Sequence, residues 1–151
     1  MIVIDSNALV VLILGLMDEN LIEKHKRTSV YTKNDFLKLC HVIQSFENLV
    51  VLPNIWTEVD NLLNNFSGGY KRDYVLKIKE LVSLTSEKYL KTNVATKTFI
   101  FENIGLTDAL ILELAKDCEL LITSDSQLSD FAIANGIIVY DMKKERNKDF
   151  K

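Results

Sequence analysis

Short apolar runs alternate along this chain with longer stretches in which apolar residues recur at helical spacing. Met1-Ile-Val-Ile is a run of strand-forming residues ending at Asp5. Ala8 to Met17 is apolar on every side and reads as a buried first helix, with Ser6 or Asn7 as its cap. Asp18 to Ser29 is polar and charged and is expected to loop out. Thr32, with Asp35 three residues on, opens a helix in capping-box fashion that is expected to run to about Phe46. Leu49-Val-Val-Leu52 reads as a second buried strand, and Pro53 suits the first turn of a helix reaching about Asn65. After a turn at Ser67-Gly-Gly69, the spacing of Tyr74, Val75, Ile78, Leu81 and Val82 predicts a helix over 70–84. A short strand within 85–91 and a helix over 94–101 are expected next. Thr107 is placed to cap a helix over 108–117, and Leu120 to Thr123 is a third clear strand. Ser126 to Asn135 reads as a helix closed by Gly136, and Ile137 to Tyr140 as the last strand.

Strands separated by helices imply an α/β fold: a three-layer α/β/α sandwich with a mostly parallel central sheet, whose continuously apolar strands are covered on both faces. The length of 151 residues fits one domain, taken as residues 1–142, followed by a charged tail over 143–151 that is expected to fray. One proline and five glycines argue against long disordered linkers. The net charge of −3 is mild, so any nucleic-acid surface must be local. Cys40 and Cys118 lack metal-ligand spacing and are expected to be buried, reduced thiols of a cytoplasmic protein. The apolar run at 8–17 is shorter than the roughly 20 residues a bilayer demands, and its flanks are not those of a signal peptide, so no membrane is expected.

Four acids stand where a strand gives way to a helix or loop: Asp5, Glu58, Asp108 and Asp125. In an open parallel sheet, ligands bind outside the carboxyl ends of the strands. Carboxylates gathered there repel one another unless a positive partner lies between them, and a hard divalent cation with oxygen ligands is the simplest such partner. That chemistry points to metal-assisted cleavage of phosphodiesters. Each acid also has a plainer role, as helix cap, first-turn charge or solvated helical side chain.

Taken in order, these motifs resemble PIN-domain nucleases. The opening strand running into Asp5-Ser6-Asn7, Glu58 after the second strand, Asp108 heading Asp-Ala-Leu-Ile-Leu-Glu-Leu-Ala, and Thr123-Ser-Asp125 carry the resemblance over essentially the whole chain. It implies a PIN-like fold and a Mg²⁺- or Mn²⁺-dependent endoribonuclease acting on RNA. Asp5, Glu58, Asp108 and Asp125 would form the catalytic metal cluster, with Asp5 and Asp108 holding the principal ion. Asn7 would orient Asp5 or a water, and Thr123 would brace the last acidic loop. Many small stand-alone members are toxins paired with an antitoxin protein. The segment from Asp18 to Asn48 is longer than in that small form, which weakens the toxin reading, and Gln127 stands where some relatives carry a further acid.

Lys24, Lys26 and Arg27, around His25, form one candidate phosphate-contacting patch, and Lys71 and Arg72 a second. His41 and Trp56 are expected to pack, and Asp60 to be solvated. The apolar helices over 30–46 and 70–84 offer a homodimer face. Two other functions compete. A non-catalytic interaction module on the same scaffold has no physical need to keep repelling acids. A haloacid-dehalogenase-type phosphatase places an Asp two residues after its first, where this chain has Asn7.

Overall fold

In the computed structural model, which describes residues 1–150, the short apolar runs become strands of one sheet. These are β1 (Ile2–Ile4), β2 (Leu49–Val51), β3 (Ser86–Glu87), β4 (Leu120–Thr123) and β5 (Val139–Asp141). All pairs are parallel, in the order β3-β2-β1-β4-β5. The central strand β1 sets Ile2 opposite Leu49 on one side and Leu120 on the other. Every residue of β1 and β2 is buried, which is why their sequences are apolar without alternation. The edge strand β3 is two exposed polar residues, too short and too polar to recruit another chain.

The helices are α1 (Ser6–Met17), α2 (Leu21–Lys24), α3 (Lys33–Ile43), α4 (Pro53–Leu63), α5 (Gly68–Leu84), α6 (Thr92–Thr96), α7 (Phe101–Ile104), α8 (Leu106–Ala115), α9 (Ser126–Ala134) and α10 (Met142–Lys148). They flank the sheet to give a three-layer α/β/α sandwich. Helix α1 packs with α2, α3, α4 and α5, while α8 packs with α6, α7 and α9. Helix α1 is buried almost all round, as its sequence requires, and Gly15 lies against Phe36 of α3. Among the described residues no helix is long and apolar enough to cross a membrane.

Several expectations are corrected. Asp5, not Ser6 or Asn7, caps α1 by accepting from the Ala8 N–H at 3.0 Å. The segment 18–29 is not a free loop: Leu21 and Ile22 are buried in α2, and the buried Thr28 hydroxyl donates to the Ile22 carbonyl at 2.6 Å. Helix α3 has the capping box at Thr32 and Asp35 but ends at Ile43, where Gln44 adopts a positive φ of 63°. The helix expected over 94–101 is two short helices, α6 and α7. Gly105, not Thr107, occupies the cap position of α8 with a φ of 83° that favours glycine. The last strand begins two residues later than expected and takes in Asp141. Residues 142–148 form α10 rather than a frayed tail, and Lys38 of α3 pairs with Asp149 just beyond it at 2.6 Å. His41 is exposed, and both thiols are free and half-buried. Trp56 is core as expected, while Asp60 is exposed but accepts from the Tyr74 hydroxyl at 2.6 Å.

Candidate active site

The chain turns from β1 to β2 on one side and returns through β4 on the other, so the strand order reverses beside β1. The carboxyl ends of β1 and β4 therefore open into a crevice. Asp5 leaves β1 at this point, its N–H donating to the Ile122 carbonyl of β4 at 3.0 Å. Its carboxylate is 4% exposed and fully engaged. Oδ1 accepts from Ala8, and Oδ2 accepts from the Thr123 hydroxyl and from the Ser124 N–H at 3.4 Å. The Thr123 oxygen in turn accepts from the Asp125 N–H at 2.9 Å, so one buried hydroxyl ties the first acid to the loop of the last. Asp125 caps α9 by accepting from the Leu128 N–H at 2.9 Å.

Glu58 lies two turns into α4, half-buried, and its Oε1 accepts from the Ser6 hydroxyl at 2.8 Å. Ser6, which sequence reasoning offered only as a cap, thus orients this acid. Asp108 sits in the first turn of α8, also half-buried. Nearby, the Asn54 side-chain amide donates to Thr107 at 3.4 Å and joins α4 to α8. All four acids accordingly share one edge of the sheet.

Their electrostatics reflect that crowding. Burial, and then the charges of Asp125, Asp5 and Glu58, push the Asp108 carboxyl from an ordinary 3.8 up to about 7. Burial, opposed by its three hydrogen bonds and aided by Asp125, raises Asp5 to about 6. The acids feel one another, yet among the described residues no three carboxylate, imidazole or thiol groups converge tightly enough to hold an ion as the side chains stand. The two observations measure different things: coupling reaches across a shared crevice, whereas chelation demands donor atoms in contact. The donor set itself, four carboxylates short of positive charge, fits a hard cation.

Asn7 is exposed and is not among the partners of Asp5; it lines a groove beside Asp125. Of the basic candidates, Arg27 lines the same groove, whereas Lys24 and Lys26 are exposed without that placement. The two patches are neighbours, since the His25 ring lies 5.5 Å from Phe66, which contacts Tyr70 and Tyr74. Lys71 donates to the Asn64 carbonyl at 3.2 Å and lies over Tyr74, and Arg72 is exposed. Sequence reasoning missed Asp141. It ends β5 directly opposite Thr123, is 5% exposed, caps α10 through Oδ1, and leaves Oδ2 buried without a partner. An acid ending a strand was the available signal, hidden because the strand was expected to stop at Tyr140. No protein-family model matches the chain, and no curated protein matches it significantly.

Proposed function

We propose that the protein is a Mg²⁺- or Mn²⁺-dependent endoribonuclease, the activity implied by its resemblance to PIN-domain nucleases. The observation that carries the reading is the gathering of Asp5, Glu58 and Asp125 around the half-buried Asp108 at the carboxyl edge, where burial first and then their charges raise the Asp108 pKa. Structural acids at helix caps have no cause to crowd in this way; a site for a divalent cation does.

Asp5 and Asp108 would hold the principal ion, with Glu58 and Asp125 completing the cluster. A bound ion there supplies positive charge against the attacked phosphate and lowers the pKa of water. The chain's own contribution is positioning and proton transfer. Thr123 fixes Asp5 and the Asp125 loop, and Ser6 fixes Glu58. Water adds to phosphorus as the P–O bond to the leaving nucleotide breaks. The proton lost by the water passes to a carboxylate oxygen of the cluster, and the leaving oxygen takes one from solvent. Pairing with an antitoxin protein, homodimer formation and a cytoplasmic location belong to the same reading; the two free thiols suit a reducing compartment.

A non-catalytic module on this scaffold is favoured only by the failure of three acids to converge. The two readings part when purified protein is incubated with single-stranded RNA in Mn²⁺, Mg²⁺ or EDTA. Cutting with either ion and none in EDTA is expected; RNA left intact under all three conditions contradicts the proposal.

A further inference from the structure

Beside Asp125 the surface opens into a groove of about 410 Å³, within the range of small-ligand sites. Arg27, Val30 and Tyr31 form one wall, from the segment between α2 and α3. Ser124, Asp125 and Lys143 form the other. Neither Arg27 nor Lys143 takes part in any ion pair among the described residues. Both are exposed, so their charges face the groove and solvent rather than neutralising an acid of the fold.

The walls are held in place. Tyr31 is buried except at the groove, with its hydroxyl in reach of Ser124. Arg146 of α10 lies over the Tyr31 ring at 6.0 Å and donates to the Val30 carbonyl at 3.5 Å. The Asp141 cap on Lys143 and Lys144, together with the pairing of Lys38 with Asp149, anchors α10. Two cations from distant parts of the chain thus flank one recess whose floor reaches the acidic edge.

We infer that this groove is a phosphate subsite, in which Arg27 and Lys143 hold a backbone phosphodiester of single-stranded RNA next to the bond being cut. The inference rests on the ribonuclease reading. An acidic edge alone repels the polyanion it is to cut, and free cations beside it supply the missing attraction. Arg offers a planar fork for two phosphate oxygens, and Lys a point charge. The patch at Lys71 makes a poorer choice, since that ammonium is turned to the Asn64 carbonyl and the Tyr74 ring.

The test measures binding of a short fluorescein-labelled single-stranded RNA by anisotropy across a salt series. It is done in the Asp108→Asn background and in EDTA, so that the RNA stays intact and the edge carries less negative charge. Arg27→Ala and Lys143→Ala are each added to it, with Lys116→Ala, near the amino end of β4, as the control. Each groove substitution should weaken binding and flatten the plot of log affinity against log salt by about 0.7, the value for one phosphate contact on a single strand. The control should leave the slope unchanged. Cutting of RNA by the unsubstituted protein in Mn²⁺ is followed separately. If that protein cuts RNA while the groove variants keep the parent affinity and slope, the subsite is overturned and the ribonuclease reading stands. A chain that neither cuts nor binds RNA overturns both.

Discussion

Asp108 shows at the scale of one residue what a site costs its fold. Its carboxyl is half-buried among three other acids, and its pKa is near neutrality because the charged form is disfavoured on every side. Asp108→Asn removes the charge and keeps the shape. Without a divalent ion, at pH 8, the variant should be more stable than the parent by on the order of 1 kcal/mol, after allowance for solvent screening of a half-buried group. The same change should reduce metal-dependent cutting at least about a hundredfold, since a developing charge loses its support. Melting curves in EDTA and a cleavage assay measure the two effects; a destabilised or fully active variant contradicts the assignment. Thr123 is the complementary case. Its hydroxyl donates to buried Asp5 and accepts from the part-buried Asp125 N–H, so Thr123→Val strips both partners at once. A loss of about 2 kcal/mol in denaturant unfolding is expected, because buried polar groups are left unpaired.

At the scale of elements, Gly15 marks where α1 meets α3. A Cβ there would overlap the Phe36 ring, so Gly15→Ala should destabilise by about 1–3 kcal/mol despite the better helix propensity of alanine. Phe36→Leu in the same chain should recover part of the loss; no recovery in urea unfolding would show that the crowding lies elsewhere. Much of this level was legible in sequence. The strands at Ile2, Leu49 and Leu120, the buried α1, the capping box at Thr32 and Pro53 at the head of α4 follow from local chemistry and periodicity. What was not legible depended on tertiary contacts. Asp5 was read as a strand end with the cap left to Ser6, because nothing local says that the Ser6 hydroxyl is taken up by Glu58 across 52 residues. Residues 21–28 and 142–148 look polar and loose in sequence, but a few buried groups, Leu21, Ile22, Thr28 and Met142, tie them down. The shared edge of the four acids was anticipated from strand ends; the basic groove was not, because Arg27 and Lys143 are 116 positions apart and meet only through docking of α10.

At the scale of the whole molecule, the acidic edge sets how stability responds to pH. Asp5 and Asp108 ordinarily ionise near 3.8 but do so near 6 and near 7 in the folded chain. Between those values the folded state holds more protons than the unfolded one, so stability falls as pH rises and the loss is complete above about pH 7. Metal-free protein should therefore melt at a higher temperature at pH 5 than at pH 8, with buried Asp5 alone contributing on the order of 1 kcal/mol to that difference. Saturating Mg²⁺ or Mn²⁺ should remove most of that difference, because a ligand bound only by the folded state stabilises it. Calorimetric titration of Mn²⁺ into the protein at pH 7, beside Asp108→Asn, reads directly whether the acids bind an ion. Saturable binding with release of protons, lost or greatly weakened in the variant, is the predicted result. A parent chain that binds no Mn²⁺, or a variant that binds it equally well, would contradict the claim that these four acids make one ion site.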